Sequence, residues 1–185
     1  MNVKIILGFV MVFMILICGC LASNKKDNNI SDDELYLKNL DDFLYQFNQT
    51  FQRGSFSEEM WAADVKILTI VYSNKVDALK VSPEFENSKN SFLQSMTEMG
   101  AFADFMMSTT YKKIIEKRNA GEPYSTEEEQ LGREADQHSQ NMALYFGKAL
   151  DPNVCSLASS KYENLAASCK WNTQGRVTPS KTPTP

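Results

Sequence analysis

Apolar residues recur along this chain at alternating steps of three and four, the spacing that places side chains on one face of an α-helix. In the first such run Leu37, Leu40, Leu44, Phe47 and Phe51 share a face, and Ser31 and Glu34 stand ahead of it at capping-box spacing. Gly54 marks its stop. A second box, Ser55 with Glu58, opens a run of Trp61, Val65, Leu68, Tyr72, Val76 and Leu79. Ser82-Pro83-Glu84 then supplies a cap residue, a proline at the first helical position and an acid in the first turn, which together start a third helix. Its face carries Phe85, Phe92, Met96, Met99, Phe102, Met106 and Ile114, and it runs on to Asn119-Ala120-Gly121 as the longest element. A fourth helix starts at Ser125, with Glu128 in the box position, and carries Leu131, Ala135, His138, Met142, Tyr145 and Ala149 before Asp151-Pro152 ends it. A shorter fifth segment, Ser156 to Cys169, has Ala158, Tyr162 and Leu165 in phase.

Stripes this narrow and near-heptad suit the seams of a bundle, and short connections make consecutive helices antiparallel neighbours. The expected fold is therefore all-α, an antiparallel up-down four-helix bundle with a short fifth C-terminal helix packed across one end or side. Only eight glycines and no Asn-Gly or Asp-Gly pair agree with this, because a β-hairpin protein would need such turns. Residues 32–172 make up this domain.

The first twenty residues follow a different pattern. Lys4 precedes an unbroken apolar run from Ile5 to Ile17, which has the length of a secretory signal core and is short for a membrane-spanning helix. The run closes on Ile17-Cys18-Gly19-Cys20. That quartet resembles a lipobox, the processing signal of prokaryotic membrane lipoproteins, in which an aliphatic residue and two small ones precede an invariant cysteine. The resemblance covers the leader alone and implies cleavage before a diacylglyceryl-modified cysteine. Of the two cysteines, Cys20 follows small Gly19 and Cys18 follows bulky Ile17, so Cys20 is the expected acceptor. The expected division is a leader over residues 1–19, a lipidated cysteine and polar tether over 20–31, the helical domain, and a Thr/Pro-rich tail over 173–185 expected to be disordered. An uncleaved anchor from Ile5 to Ala22 is the alternative. Either version puts an amphiphilic anchor at the N-terminus, and the lipoprotein version puts the domain on the extracytoplasmic face of the cell membrane. Stable lipid anchoring requires more than one acyl chain, which a diacyl group provides.

Charge narrows the partners. The chain carries a formal net charge of -4, and losing Lys4 with the leader leaves 18 basic residues against 23 acidic ones. No basic stripe with interleaved aromatics is present, which argues against nucleic acid. The expected partners are the membrane, through the N-terminal lipid, and an envelope protein.

Little of the remaining pattern points to chemistry. Cys155 and Cys169 are the thiols left after lipidation, and export permits their oxidation. Their bridge would close a loop worth roughly 3 kcal/mol in the chain-entropy model. On one straight helix, however, fourteen steps would hold the two Cα atoms roughly 21 Å apart, beyond the ~4.4 to 6.8 Å a disulfide spans. A bridge thus requires a bend, at Ser159-Ser160 for instance, or Cys155 on the preceding element; otherwise the thiols stay separate. His138 is the one histidine, and Glu134 lies four residues before it rather than three, so the Glu-x-x-His pattern of di-metal bundles is missing. No cofactor is expected, and neither a phosphate loop nor a catalytic triad can be assembled. Asp64 and Asp104 interrupt apolar stretches and are expected on solvated faces. The third helix is rich in soft side chains, and Met96, Met99, Phe102 and Met106 could line an adaptable apolar groove or simply fill the core. Three readings follow: a non-enzymatic interaction or accessory module at the envelope, an apolar small-molecule or lipid binder, and an enzyme with an unrecognised carboxylate site.

Overall fold

The computed structural model describes residues 30–52, 57–158 and 161–174. The leader, Cys20, nearly all of the tether, the tail beyond residue 174 and the Ser159-Ser160 bend lie outside the described residues. Among the described residues the fold is entirely helical, with seven helices: α1 Asp32–Gln52, α2 Glu58–Asp77, α3 Pro83–Met107, α4 Thr109–Ala120, α5 Thr126–Ala149, α6 Pro152–Leu157 and α7 Glu163–Gln174. No described helix is long and apolar enough to cross a membrane. The most extensive packing joins α3 to α5 and α3 to α2, so α3 is the central helix.

Helix ends follow local chemistry. Ser57 caps α2, its side chain accepting from the Met60 backbone N–H at 3.3 Å, so the cap stands two residues after Ser55, the position expected from spacing. Ser125 and Glu128 form a complete capping box on α5. Gly121, with φ +70°, closes α4 in the left-handed conformation that glycine adopts without a Cβ penalty.

Two expected helices are each divided in two. The long third helix breaks at Ser108, whose backbone is extended (φ -73°, ψ 155°) and whose hydroxyl accepts from Tyr111 N–H at 3.1 Å. A serine followed by two threonines favours capping over continuation, since these hydroxyls compete for backbone groups. At Asp151-Pro152, expected only to stop the fourth helix, the pair instead starts α6: Asp151 accepts from Val154 N–H at 2.9 Å and Pro152 takes the first turn. The expected fifth segment is consequently two helices, α6 and α7, and the second runs past Cys169 and the expected domain limit at 172 to Gln174.

The core centres on Phe43, which is 1% exposed. Its ring meets Tyr72 of α2 at 5.6 Å, Phe92 of α3 at 5.4 Å and Phe146 of α5 at 5.9 Å between centroids. The first two contacts are edge-on, the arrangement aromatic quadrupoles favour. The α1 face is wider than expected: Leu37, Leu40 and Leu44 are buried as the spacing indicates and Phe47 packs against them, Tyr36 and Phe43 join the core beside them, and of the expected stripe Phe51 alone is exposed, at 58%.

Several buried polar side chains on α1 and α3 have partners that tie helices together. Ser88 donates its only hydroxyl proton to the Ala149 carbonyl at 2.5 Å, so the Tyr36 hydroxyl, 2.6 Å from Ser88 Oγ, is the donor of that bond. This chain links α1, α3 and α5. Lys89, nearly fully buried on α3, donates to the Leu79 and Asp77 carbonyls at 2.6 and 3.2 Å, and so supplies protons to the C-terminal end of α2. Asp32 and Asp33 accept from the Lys80 and Ser82 backbone N–H groups, both at 2.7 Å, holding the α2–α3 connection to the start of α1.

Burial, the largest influence on it, raises the Tyr36 phenol far above its ordinary value, with Asp151 adding to the effect. Burial and then Asp42 push Tyr72 up to about 12. Both phenols stay neutral in the fold, while the unfolded chain ionises near 10. Their contribution to stability is thus fully present below pH 10 and is lost as pH rises through about 12. Tyr36→Phe should cost about 1 kcal/mol at neutral pH, and urea unfolding at a series of alkaline pH values should show a shallower decline for the variant than for the parent chain.

Candidate functional site

Between α1, α5 and α7 lies a cleft of about 720 Å³. That volume is in the range of small-molecule sites. The ring cluster at the core forms part of its lining: Phe43 and Leu44 come from α1 and Met99 from α3. Phe47, one turn beyond Phe43 and stacked on it at 5.7 Å, extends that surface. Met142 and Phe146 line it from α5, together with Leu150 just past the end of that helix. Both methionines have soft, unbranched side chains that adapt to an irregular guest.

The remaining wall is α7, which presents Ala167, Ser168 and, at the outer edge, Trp171. Trp171 is 80% exposed, an unusual degree for a side chain of this size and apolar content. Three sets of contacts hold α7 in place. Asp41 of α1 accepts from the Leu165 backbone N–H at 2.8 Å and from the Asn164 amide at 3.3 Å, satisfying one of the orphan donors of the α7 first turn. Near its other end, the Asn172 amide donates to the Gly147 and Leu150 carbonyls, both at 3.1 Å. The third is covalent: Cys155 on α6 is bonded to Cys169 on α7, with S–S 2.06 Å and Cα atoms 5.6 Å apart. The straight-helix obstacle does not arise, because the two cysteines lie on separate helices, α6 ending at Leu157 and α7 beginning at Glu163. Just before α7, Lys161 pairs with Glu34 of α1.

Polar groups at the cleft are few. The Asn164 and Asn172 amides are engaged as described, whereas Asn48 and Glu163 are exposed and their side chains make no hydrogen bond or ion pair among the described residues. Glu163 is the one charged residue among the described residues of the lining.

The four residues of the third helix that could line a groove or fill the core are divided between the two roles. Met99 alone borders this cleft. Met96 is 1% exposed and fills the core, touching a separate, shallower depression near Lys66. Met106 borders a third one beside Tyr111 and Glu58, and Phe102 is half-buried outside all three. The four share a broad face but spread over ten residues, about 15 Å of helix axis, and different neighbours cover them at different heights. Spacing alone missed Phe43 and Phe146, each one position from the stripe it indicated, and Glu163, Trp171 and Asn172, which belong to a helix whose start and extent were not expected.

Other candidate chemistry is structural. His138 lies 2.5 Å from Glu98 across the α3–α5 seam, and Asn141 adds a bond to the same carboxylate at 3.4 Å. Asp104 pairs with Lys66 at 2.5 Å on the surface, and Asp64 is half-buried. Among the described residues no group of three His, Cys, Asp or Glu side chains could hold a metal ion. Comparison with protein-family models, with curated proteins and with solved structures finds no match.

Replacing both Cys155 and Cys169 with serine should destabilise the domain by about 3 kcal/mol, as expected for a loop of this length. Hydrogen exchange should accelerate first in α6 and α7, and an equal loss spread over all helices would contradict a local role for the bridge.

Proposed function

We propose that this chain is a lipid-anchored, extracytoplasmic binding module that holds an apolar small molecule in the cleft between α1, α5 and α7. The observation that carries the reading is the cleft itself: a cavity of ligand size lined mainly by aromatic, aliphatic and thioether side chains, with few polar groups at its edge. Binding rather than catalysis is favoured because the lining offers a single carboxylate and neither histidine nor cysteine, so no acid and base converge on a guest. The address rests on the Ile17-Cys18-Gly19-Cys20 quartet. A tethered domain with an oxidised cysteine pair suits an exported setting.

The helical scaffold behind the cleft is, in this reading, an up-down arrangement of α1, α2, α3 and α5. Pairings between Asp32 and Lys80, Lys66 and Asp104, and Ser95 and Met142 support the alternation of direction. A second reading, docking of an apolar-faced envelope protein on α2, is favoured by an outward row of Met60, Ile67, Ile70 and Val71, all exposed.

The neutral fluorophore N-phenyl-1-naphthylamine tests the cleft. Titrated into the full-length chain in lipid nanodiscs, it should bind above the level of empty nanodiscs and lose that binding in Ala167→Phe, which fills the cleft from an exposed position. Ile67→Lys, on the outer row of α2, should leave it unchanged. Sensitivity to Ile67→Lys alone would shift the function to the α2 face.

The anchor is tested by mass spectrometry of the membrane-extracted protein. A diacylglyceryl-modified Cys20 terminus is expected, and Cys20→Ser should accumulate unprocessed; an unmodified Met1 terminus on the native chain would overturn the lipidation reading.

A further inference from the structure

We propose that the guest of this cleft is an amphiphilic organic cation, with an ammonium group at the Glu163 end and an apolar body extending toward Trp171. The proposal rests on the reading of the cleft as a ligand site and adds the charge and orientation of what enters it.

Charge is the first argument. Among the described residues no lysine, arginine or histidine lines the cleft, and the one ionisable group is the Glu163 carboxylate. An anionic amphiphile would find no counter-ion there and would be repelled by Glu163, whereas a cation gains a partner.

Glu163 is also available. Among the described residues its carboxylate makes no hydrogen bond or ion pair, while the neighbouring amides of Asn164 and Asn172 are already engaged. An acid in the first turn of a helix has an ordinary use, offsetting the positive end of the helix. On α7 the Asp41 carboxylate already fills that place, accepting from Leu165 N–H at 2.8 Å. A second carboxylate facing the cleft beside Asp41 makes this end of the site acidic beyond what the helix terminus requires.

Spacing supplies the orientation. Glu163, Ala167 and Trp171 stand four residues apart on one row of α7, all three in the lining. Eight residues of helix separate the carboxylate from the indole by about 12 Å. Between them the row presents only the methyl group of Ala167, which leaves the groove open along its length. An ammonium head beside Glu163 would therefore run its body past Ala167, against Phe47 and Phe146, to the exposed face of Trp171. Ring faces tolerate a nearby cation and attract it, which suits an ammonium group to an aromatic-lined site better than a sulfate or carboxylate. A bare metal ion is a poor fit, since hard cations require six or more oxygen ligands and a single carboxylate supplies two at most.

Isothermal titration of the full-length chain in zwitterionic nanodiscs, with empty nanodiscs as blank, tests this with three probes of one chain length: octyltrimethylammonium, octan-1-ol and octyl sulfate. The cation should bind tightest and the sulfate weakest. Glu163→Gln, at an exposed position where folding is not at risk, should weaken the cation by roughly threefold to tenfold and leave octan-1-ol unchanged. Equal binding of cation and alcohol, unaffected by Glu163→Gln, would overturn the charge assignment while leaving the cleft intact as an apolar site. Failure of all three probes to bind would overturn the cleft reading and this inference together.

Discussion

Everything else in this domain is arranged around the packing of Phe43. One ring from α1 touches a ring from each of α2, α3 and α5, so the four longest helices share a single point of contact. Aromatic rings packed edge-on do not slide freely, because a shift of α2, α3 or α5 by one turn would replace its ring with a smaller side chain and leave a void. The cluster therefore sets axial register as well as burial. Hydrogen bonds through Ser88 and Ser95 to the carbonyls of Ala149 and Met142 fix the α3–α5 seam at two further heights. Small hydroxyl side chains on α3 let α5 approach closely there and still satisfy every polar atom involved.

The cleft follows from what this core leaves uncovered. Phe43 and Phe146 belong both to the buried cluster and to the cleft lining, so the surface under any guest is as rigid as the core itself. The opposite wall is of another kind. α7 is short and takes its position from Asp41, Asn172 and the Cys155–Cys169 bond instead of from a broad apolar face. A stiff floor and a wall attached at a few defined points allow a site to admit ligands of varied shape without disturbing the bundle.

Helix content, most caps and the absence of recognisable catalytic motifs were legible in the residues alone. Apolar periodicity sets secondary structure because each helix must bury one face, and caps act within four residues of one another. Rotation about the helix axis was less legible. On α1 the spacing through Leu37, Leu40, Leu44 and Phe47 indicated one part of the buried face, while the neighbouring helices bury Tyr36 and Phe43 beside it and leave Phe51 exposed. The breaks at Ser108 and Asp151-Pro152 had local signals in Ser-Thr-Thr and in Asp-Pro. They stood inside apolar runs whose continuity outweighed them.

Sequence by itself determined that the described residues are helical, where the four longest helices begin to within two residues, and that an apolar run closing on Gly19-Cys20 precedes an acidic remainder. These properties depend on residues near one another in the chain. Tertiary structure alone decided that Cys155 and Cys169 lie within bonding reach, that Met96 is core while Met99 borders a cavity, and that Glu163 and Trp171 face the same cleft. Each of these depends on where a helix lies relative to others tens of residues away. That placement is set by the shapes of side chains packed against one another, which spacing along a single chain does not encode.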